Sequence, residues 1–444
     1  MKKFLICSLI FANCFVGIFS QELENIKFAE SLQNVLSSGT LKEAINLFEN
    51  MPESLKSDKD LMILKASLLL SAENYTEAQN ITDSLLENNP NDTELLELKA
   101  QIAVAKNDSQ TLKDVSQKLL SVNPYNPTAN IIKANQFALK KNYKQADVYY
   151  KKALVGDKEN TEALFGHGKM NYYLGDLKEA EKSFNQVLEI EPNNADSFQY
   201  LGKLFAEKEN YLMALKNVER AIKLNPYGYD YYIDFGQYSR SLGKFDQAEK
   251  AWTKAIELEP NYFLAYTYRA GLYDEQNKIE KALEDYKKIV ETNPKYYFAY
   301  EEMGILQFHL NQWKDARESF TKANSYRKDW SYELMIVATY LREKNTFKAK
   351  EAAQTFMKPL DRKSNEYLMI RLYNDQGPVN AESALSRSIE KEESKNKRGK
   401  LLYYMGLYYE LKNLPQVAST YYEKILQMQT PLFFEYRLAE WAVR

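Results

Sequence analysis

The sequence predicts an all-α fold in which helix pairs stack one on the next. Three observations carry this: a 34-residue period that runs without insertion through most of the chain, a shortage of helix breakers, and a proline at the same place in six of the periods. The breakers are few because only 15 of 444 residues are Gly and 12 are Pro, against average shares of roughly 7% and 5%. A chain this long exceeds one compact core unless its fold is modular, and a fixed period supplies the module.

The frame is read by stepping 34 residues from Gly168. It meets Gly202, Gly236, Ala270 and Gly304 going forward, and Ala134, Ala100 and Ala66 going back. A second small position runs through Ala44, Ala78, Ala146, Ala180, Ala214, Ala248, Ala282 and Ala316, with Leu112 as the exception. The prolines are Pro90, Pro124, Pro192, Pro226, Pro260 and Pro294. With Asn25 as the first residue, the small residues are the eighth and twentieth of each unit, where they let two helices approach closely. Each first helix should run about fourteen residues to a Gly/Asn break such as Leu174-Gly175-Asp176, and each second helix should end at Pro, which cannot continue it. Asn91-Asp92, Asn160-Thr161 and Asn193-Asn194 are placed to cap the helices that follow them. Pro127 stands in a first turn, where a missing N–H costs nothing. The aromatics at the twenty-fourth position (Phe48, Tyr150, Phe184, Trp252, Tyr286, Phe320 and Tyr422) are expected to fill space between units.

The period weakens late in the chain. Lys350 and Leu372 stand where small residues are expected, Pro359 and Gly377-Pro378 interrupt helices, and Glu390–Lys400 is highly charged. Looser packing is expected there. The pattern returns with Gly406, Ala418 and Tyr422, and Phe433–Arg444 reads as a capping helix laying Phe434, Leu438 and Trp441 on repeat twelve. The expected division is therefore a leader at 1–20, repeats one to nine within 21–330, degenerate repeats ten and eleven at 331–398, repeat twelve at 399–432 and a capping helix at 433–444.

These residues resemble the tetratricopeptide repeat. In the unit 229–262 the family pattern of large and small positions falls on Tyr232, Phe235-Gly236, Ala248, Trp252, Ala255 and Pro260, with Ser239 in place of the usual Tyr. The resemblance spans 25–432 and implies a right-handed superhelical solenoid of antiparallel helix pairs, with a concave groove lined by the second, fifth, sixth, ninth, twelfth and thirteenth positions of each first helix. Some members clamp a partner's C-terminal carboxylate with Lys and Asn at set positions. Ile131 stands at the fifth position of the Asn135 unit, and that clamp is not expected here.

The N-terminus reads as an export signal: Lys2 and Lys3 precede an apolar Phe4–Phe19, short for a membrane span of about 20 residues. Cleavage after Ser20 is expected, with lipidation at Cys14 and an uncleaved anchor as the alternatives. Both cysteines, Cys7 and Cys14, fall in the leader, so cleavage would leave no thiol chemistry. No later stretch is long and apolar enough to span a membrane. Without Lys2 and Lys3 the 59 basic residues become 57 against 61 acidic, a balance that gives no pull toward nucleic acid.

Catalytic patterns are missing. His167 falls in a core position and His309 near the groove; no H-E-x-x-H, C-x-x-C or phosphate-binding glycine loop occurs. No enzyme, cofactor or metal site is expected. The ninth positions of repeats one to seven are all hydrogen-bonding residues, able to pair with the backbone of an extended peptide. Around repeats four to eight this row joins Tyr and basic residues, which concentrate binding energy at interfaces. The expected peptide-binding residues are Asn135, Lys169, Tyr172, Tyr173, Tyr200, Lys203, Gln237 and Arg240. The function expected is an exported, periplasmic or envelope-associated scaffold binding a protein or peptide partner. The alternative is an accessory subunit of a secretion, outer-membrane assembly or transport complex, docking through its convex face or repeats ten and eleven.

Overall fold

The computed structural model describes residues 21–375, 381–428 and 431–443. The expected leader with Cys7 and Cys14, and the Gly377-Pro378 break, lie outside the described residues. Among the described residues all regular structure is helical, and no helix is long and apolar enough to cross a membrane.

The chain divides into two units, residues 1–208 and 209–444. The first holds α1 (Gln21–Ser38), α2 (Leu41–Glu49), α3 (Lys59–Ser71), α4 (Tyr75–Asn88), α5 (Thr93–Ala105), α6 (Ser109–Val122), α7 (Pro127–Leu139), α8 (Tyr143–Gly156), α9 (Thr161–Leu174), α10 (Leu177–Ile190) and α11 (Ala195–Glu207). The second holds α12 (Tyr211–Leu224), α13 (Tyr229–Ser241), α14 (Phe245–Leu258), α15 (Phe263–Glu275), α16 (Ile279–Thr292), α17 (Tyr297–His309), α18 (Trp313–Tyr326), α19 (Trp330–Arg342), α20 (Thr346–Met357), α21 (Asn365–Asp375), α22 (Ala381–Lys391), α23 (Lys395–Leu411), α24 (Pro415–Leu426) and α25 (Glu435–Val443). Within each unit, successive helices pack on one another.

Local chemistry sets this rhythm. First helices begin at Lys59, Thr93, Pro127, Thr161 and Ala195 in one unit, and at Tyr229, Phe263 and Tyr297 in the other, each 34 residues after the last. The side chains of Asp58, Asp92, Asn126, Asn160 and Asn194 accept hydrogen bonds from the first turns they precede. Between the helices of a pair the chain turns through a left-handed residue, supplied by Gly175, Gly243, Asn107, Asn277 and Asn311, but also by Glu73, Lys141 and Lys344. Gly and Asn tolerate that conformation; a longer side chain there is strained.

The weak stretch has a specific origin. Helix α19 begins at Trp330, one residue before the frame, α20 begins at Thr346, and the left-handed turn falls at Lys344. One residue has been lost, so Ala349, almost fully buried, takes the small position while Lys350 is exposed. The expectation that the small residue fails at Lys350 is thereby corrected: it has moved by one. Leu372 is fully enclosed, within a continuous apolar core that runs from α17 to α25.

The twenty-fourth-position aromatics fill space between units as expected, Phe184 against Tyr200, Trp252 against Tyr268 and Phe320 against Tyr332, and they also fill a gap within their own repeat. The rings of Phe184, Trp252, Phe320 and Tyr422 lie against Gly168, Gly236, Gly304 and Gly406, the eighth residue of their own repeat. A Cβ at Gly304 would sit 2.8 Å from two carbons of the Phe320 ring. The glycine is a socket, and a large aromatic is its plug. Trp252, Phe184 and Phe320 are fully buried in this way, each worth on the order of 1.5–3 kcal/mol as apolar burial.

The C-terminal helix packs on α23 and α24 and also reaches back to α17. Nearby, α23 meets α19 directly: Lys400 pairs with Asp329 at 3.2 Å, and Arg342 with Glu410.

Candidate functional site

In the first unit the expected residues come from α7, α9 and α11, the first helices of three successive repeats. Because the helices repeat in register, their ninth, twelfth and thirteenth residues fall on one face. Tyr173 is 46% exposed and stacks on Tyr143, ring centroids 4.8 Å apart. Its hydroxyl lies 3.4 Å from that of Tyr200. Tyr172 stands edge-on to both, at 5.5 Å and 5.8 Å, and donates to Glu207 at 3.1 Å. Beneath them Tyr200 packs on Phe184 and Phe165. Two ammonium groups lie over the Tyr200 ring, Lys169 at 5.8 Å and Lys203 at 5.2 Å. The result is an aromatic shelf with cations along it.

Not every expected residue is equally presented. Tyr200 is buried, with 7% of its surface exposed, so it supports the shelf more than it forms its face. Asn135 accepts a hydrogen bond from the Tyr150 hydroxyl. Two further residues belong to the surface and were not singled out from the sequence: Tyr143, which carries Tyr173, and Leu139, 86% exposed. Leu139 is the thirteenth residue of its unit, as Tyr173 is of the next, so the repeat frame itself held that signal. Gln237 and Arg240 lie on α13 in the second unit, where the guanidinium of Arg240 pairs with Glu275.

Elsewhere in the first unit, His167 is buried, its Nδ1 against Asp147 and its Nε2 3.5 Å from Glu179, with Asn171 beside it. Burial pushes the Asp147 carboxyl up, but hydrogen bonds from His167 and Lys151 outweigh it and hold the group below the usual carboxylate range. With 5% of its surface exposed, His167 bonds helices together and does not face a substrate.

The second unit presents the corresponding face differently: its own C-terminal helix covers it. Arg437 of α25 pairs through both terminal nitrogens with Asp274 of α15, and lies 3.7 Å from Glu302 of α17. Its guanidinium stacks on Trp441 at 4.2 Å, and Trp441 lies over His309 at 4.1 Å. Phe434 stacks against both Phe320 and Tyr332, and Tyr404 donates to the fully buried Glu435 carboxyl group at 3.0 Å. Burial, with the neighbouring Asp274 and Glu301 charges, pushes Glu302 up to about 7 against the pull of Arg437. Asp274, Glu302, His309 and Tyr404 occupy twelfth, sixth, thirteenth and sixth positions of their repeats.

Family models for the tetratricopeptide repeat match residues 35–102, 161–194 and 233–297. The chain carries tetratricopeptide repeats. Among solved structures it is similar to MamA, 26% identical over 36% of this chain and 95% of that one, with a TM-score of 0.33. It is also similar to YrrB, described as a TPR protein with an unusual peptide-binding site, 26% identical over 41% of this chain and 95% of that one, TM-score 0.33. A third is a tetratricopeptide repeat protein from Parabacteroides merdae, 20% identical over 55% of this chain and 97% of that one, TM-score 0.40. No curated protein matches the chain. Tetratricopeptide repeats serve as protein-interaction scaffolds, and stacked repeats make extended binding surfaces. Among the described residues, no cluster of acidic, His or Cys side chains could hold a metal ion.

Proposed function

We propose that the protein is a non-catalytic scaffold of a bacterial envelope that holds an extended segment of a protein partner on the aromatic shelf of its first unit. One observation carries the reading: Tyr173 is stacked on Tyr143 and left 46% exposed, above a ring crossed by Lys169 and Lys203. Held in place by its neighbours, such a ring loses little freedom when a ligand covers it, and Tyr offers a hydroxyl to the ligand's backbone. The two ammonium groups favour a segment bearing a carboxylate near an apolar side chain. Export rests on the basic-then-apolar start of the sequence, which predicts a mature N-terminus near Gln21, or a lipid on Cys14 in the alternative.

The test is a peptide library selected on the full chain. Enriched peptides should combine acidic and apolar residues, and should lose tenfold or more in affinity for the triple variant Lys169→Ala, Tyr173→Ala, Lys203→Ala. That variant should keep its melting temperature, because none of the three side chains plugs a glycine socket. Undiminished affinity for the variant would remove the shelf from consideration. Terminal sequencing of protein from cells tests cleavage after Ser20: an intact Met1 would overturn it in favour of an anchor, and a lipid on Cys14 in favour of a lipoprotein.

A further inference from the structure

The second unit carries its own answer to what its groove accepts, because α25 sits in it. Two features make that helix look exchangeable. The first is length: nine residues cannot hold a helix alone in water, so α25 is helical only while docked. The second is charge. Arg437 faces both Asp274 and Glu302, so two carboxyl groups share one guanidinium from the helix. An occupant with one more positive charge would satisfy the groove better than the resident does. There is also room: a 290 Å³ cavity opens beside the start of α25, lined in part by Phe298, Glu301, Glu302, Lys400 and Phe433.

We infer that the groove between α15, α17 and α23 is a second binding site, occupied in the resting protein by α25 and taken over by a partner's helix of basic–aromatic character. The resident supplies the template. Arg437 and Trp441 are one helical turn apart, stacked on each other, and the pair spans from the carboxylates to His309. The incoming helix should place an Arg and an aromatic residue four apart, preceded by a large apolar side chain for the space Phe434 now fills. This site is independent of the aromatic shelf and uses none of its residues.

The probe is a fluorescent peptide with the sequence of residues 431–444. It should bind wild-type full chain weakly, because the groove is filled. It should bind the full-length double variant Arg437→Glu, Trp441→Ala at least tenfold more tightly, because that variant's own helix is a poor competitor. A peptide carrying Arg437→Glu should not bind either chain. If the double variant keeps its helical signal and cooperative melting yet binds the peptide no better than wild type does, the inference is wrong. If that variant fails to fold, hydrogen exchange on the wild-type chain decides. Amides of 435–443 should exchange at least a hundredfold faster than those of α23 and α24, and equal protection would show that α25 is permanent core.

Discussion

Alanine substituted for glycine inside a helix ordinarily stabilises, by about 0.5–1 kcal/mol, because it removes freedom from the unfolded chain. Two glycines of the second unit should respond in opposite ways. At Gly271 in α15 a Cβ would meet nothing within 4 Å, so Gly271→Ala should gain about 1 kcal/mol. At Gly304 in α17 the same atom would lie 2.8 Å from two Phe320 carbons and 3.0 Å from a third. Ordinary contact needs roughly 0.6 Å more, and the ring cannot yield freely: Phe320 is fully buried and stacked against Tyr332 and Phe434. Overpacking of this kind costs about 1–3 kcal/mol, and a rigid, enclosed ring belongs at the upper end. Subtracting the helix gain leaves Gly304→Ala destabilised by about 2 kcal/mol, so the same substitution should differ by about 3 kcal/mol between the two sites. Urea unfolding followed by circular dichroism gives the sign. Hydrogen exchange in α17 and α18 shows whether the loss is local. A Gly304→Ala protein as stable as Gly271→Ala would refute the socket-and-plug account of the repeat.

Three further outcomes are expected. Arg269→Ala should cost about 3–5 kcal/mol, because Asp285 is buried and receives two hydrogen bonds from that guanidinium, at 2.7 Å and 2.8 Å, whereas Arg269→Met with Asp285→Leu should recover most of the loss in the same urea titration. Lys141→Gly should stabilise the first unit by about 1 kcal/mol, since Lys141 holds a φ of 57° that Gly adopts without strain; a lower melting temperature would contradict it. Glu302, raised to about 7, gives stability that is fully present below its unfolded value near 4.5 and is lost as pH rises through 7; with about a third of the side chain exposed this is about 1–2 kcal/mol, and Glu302→Gln should flatten the pH dependence of unfolding between 5 and 7.

The helices and their boundaries were legible because the information is local and repeated. A cap such as Asn160, a left-handed Gly175 and a small Gly168 each act within a few residues, and each recurs at the same spacing. The lost residue before Trp330 was harder to see: a frame counted forward keeps its number after a deletion, and Ala338 happened to satisfy the unshifted count. The shelf was partly legible, since Tyr172, Tyr173, Lys169 and Lys203 follow from register alone. Which of these rings is exposed was not. Tyr173 and Tyr200 both stand at groove positions of the repeat, but Tyr200 is covered by Phe165 and Phe184 and Tyr173 is not. The partners of Arg240 and Asn135 were equally invisible, because such contacts between neighbouring helices depend on side-chain reach.

The docked C-terminal helix lies furthest from anything a period can reveal, and the same property makes its behaviour distinctive. In a stacked array, stability is close to a sum over neighbouring repeats. The contact between Arg437 and Asp274 breaks that rule, joining residues 163 apart. Closing so long a loop costs entropy that grows only slowly with length, and the stacked repeats between the two ends already meet most of it by holding them near one another. Opening the contact therefore leaves every neighbouring interface from α15 to α24 intact and forfeits only what α25 itself buries. A partner helix must match that one local sum, not the stability of the whole unit, and a modest surplus of charge or a filled cavity is enough to tip the exchange.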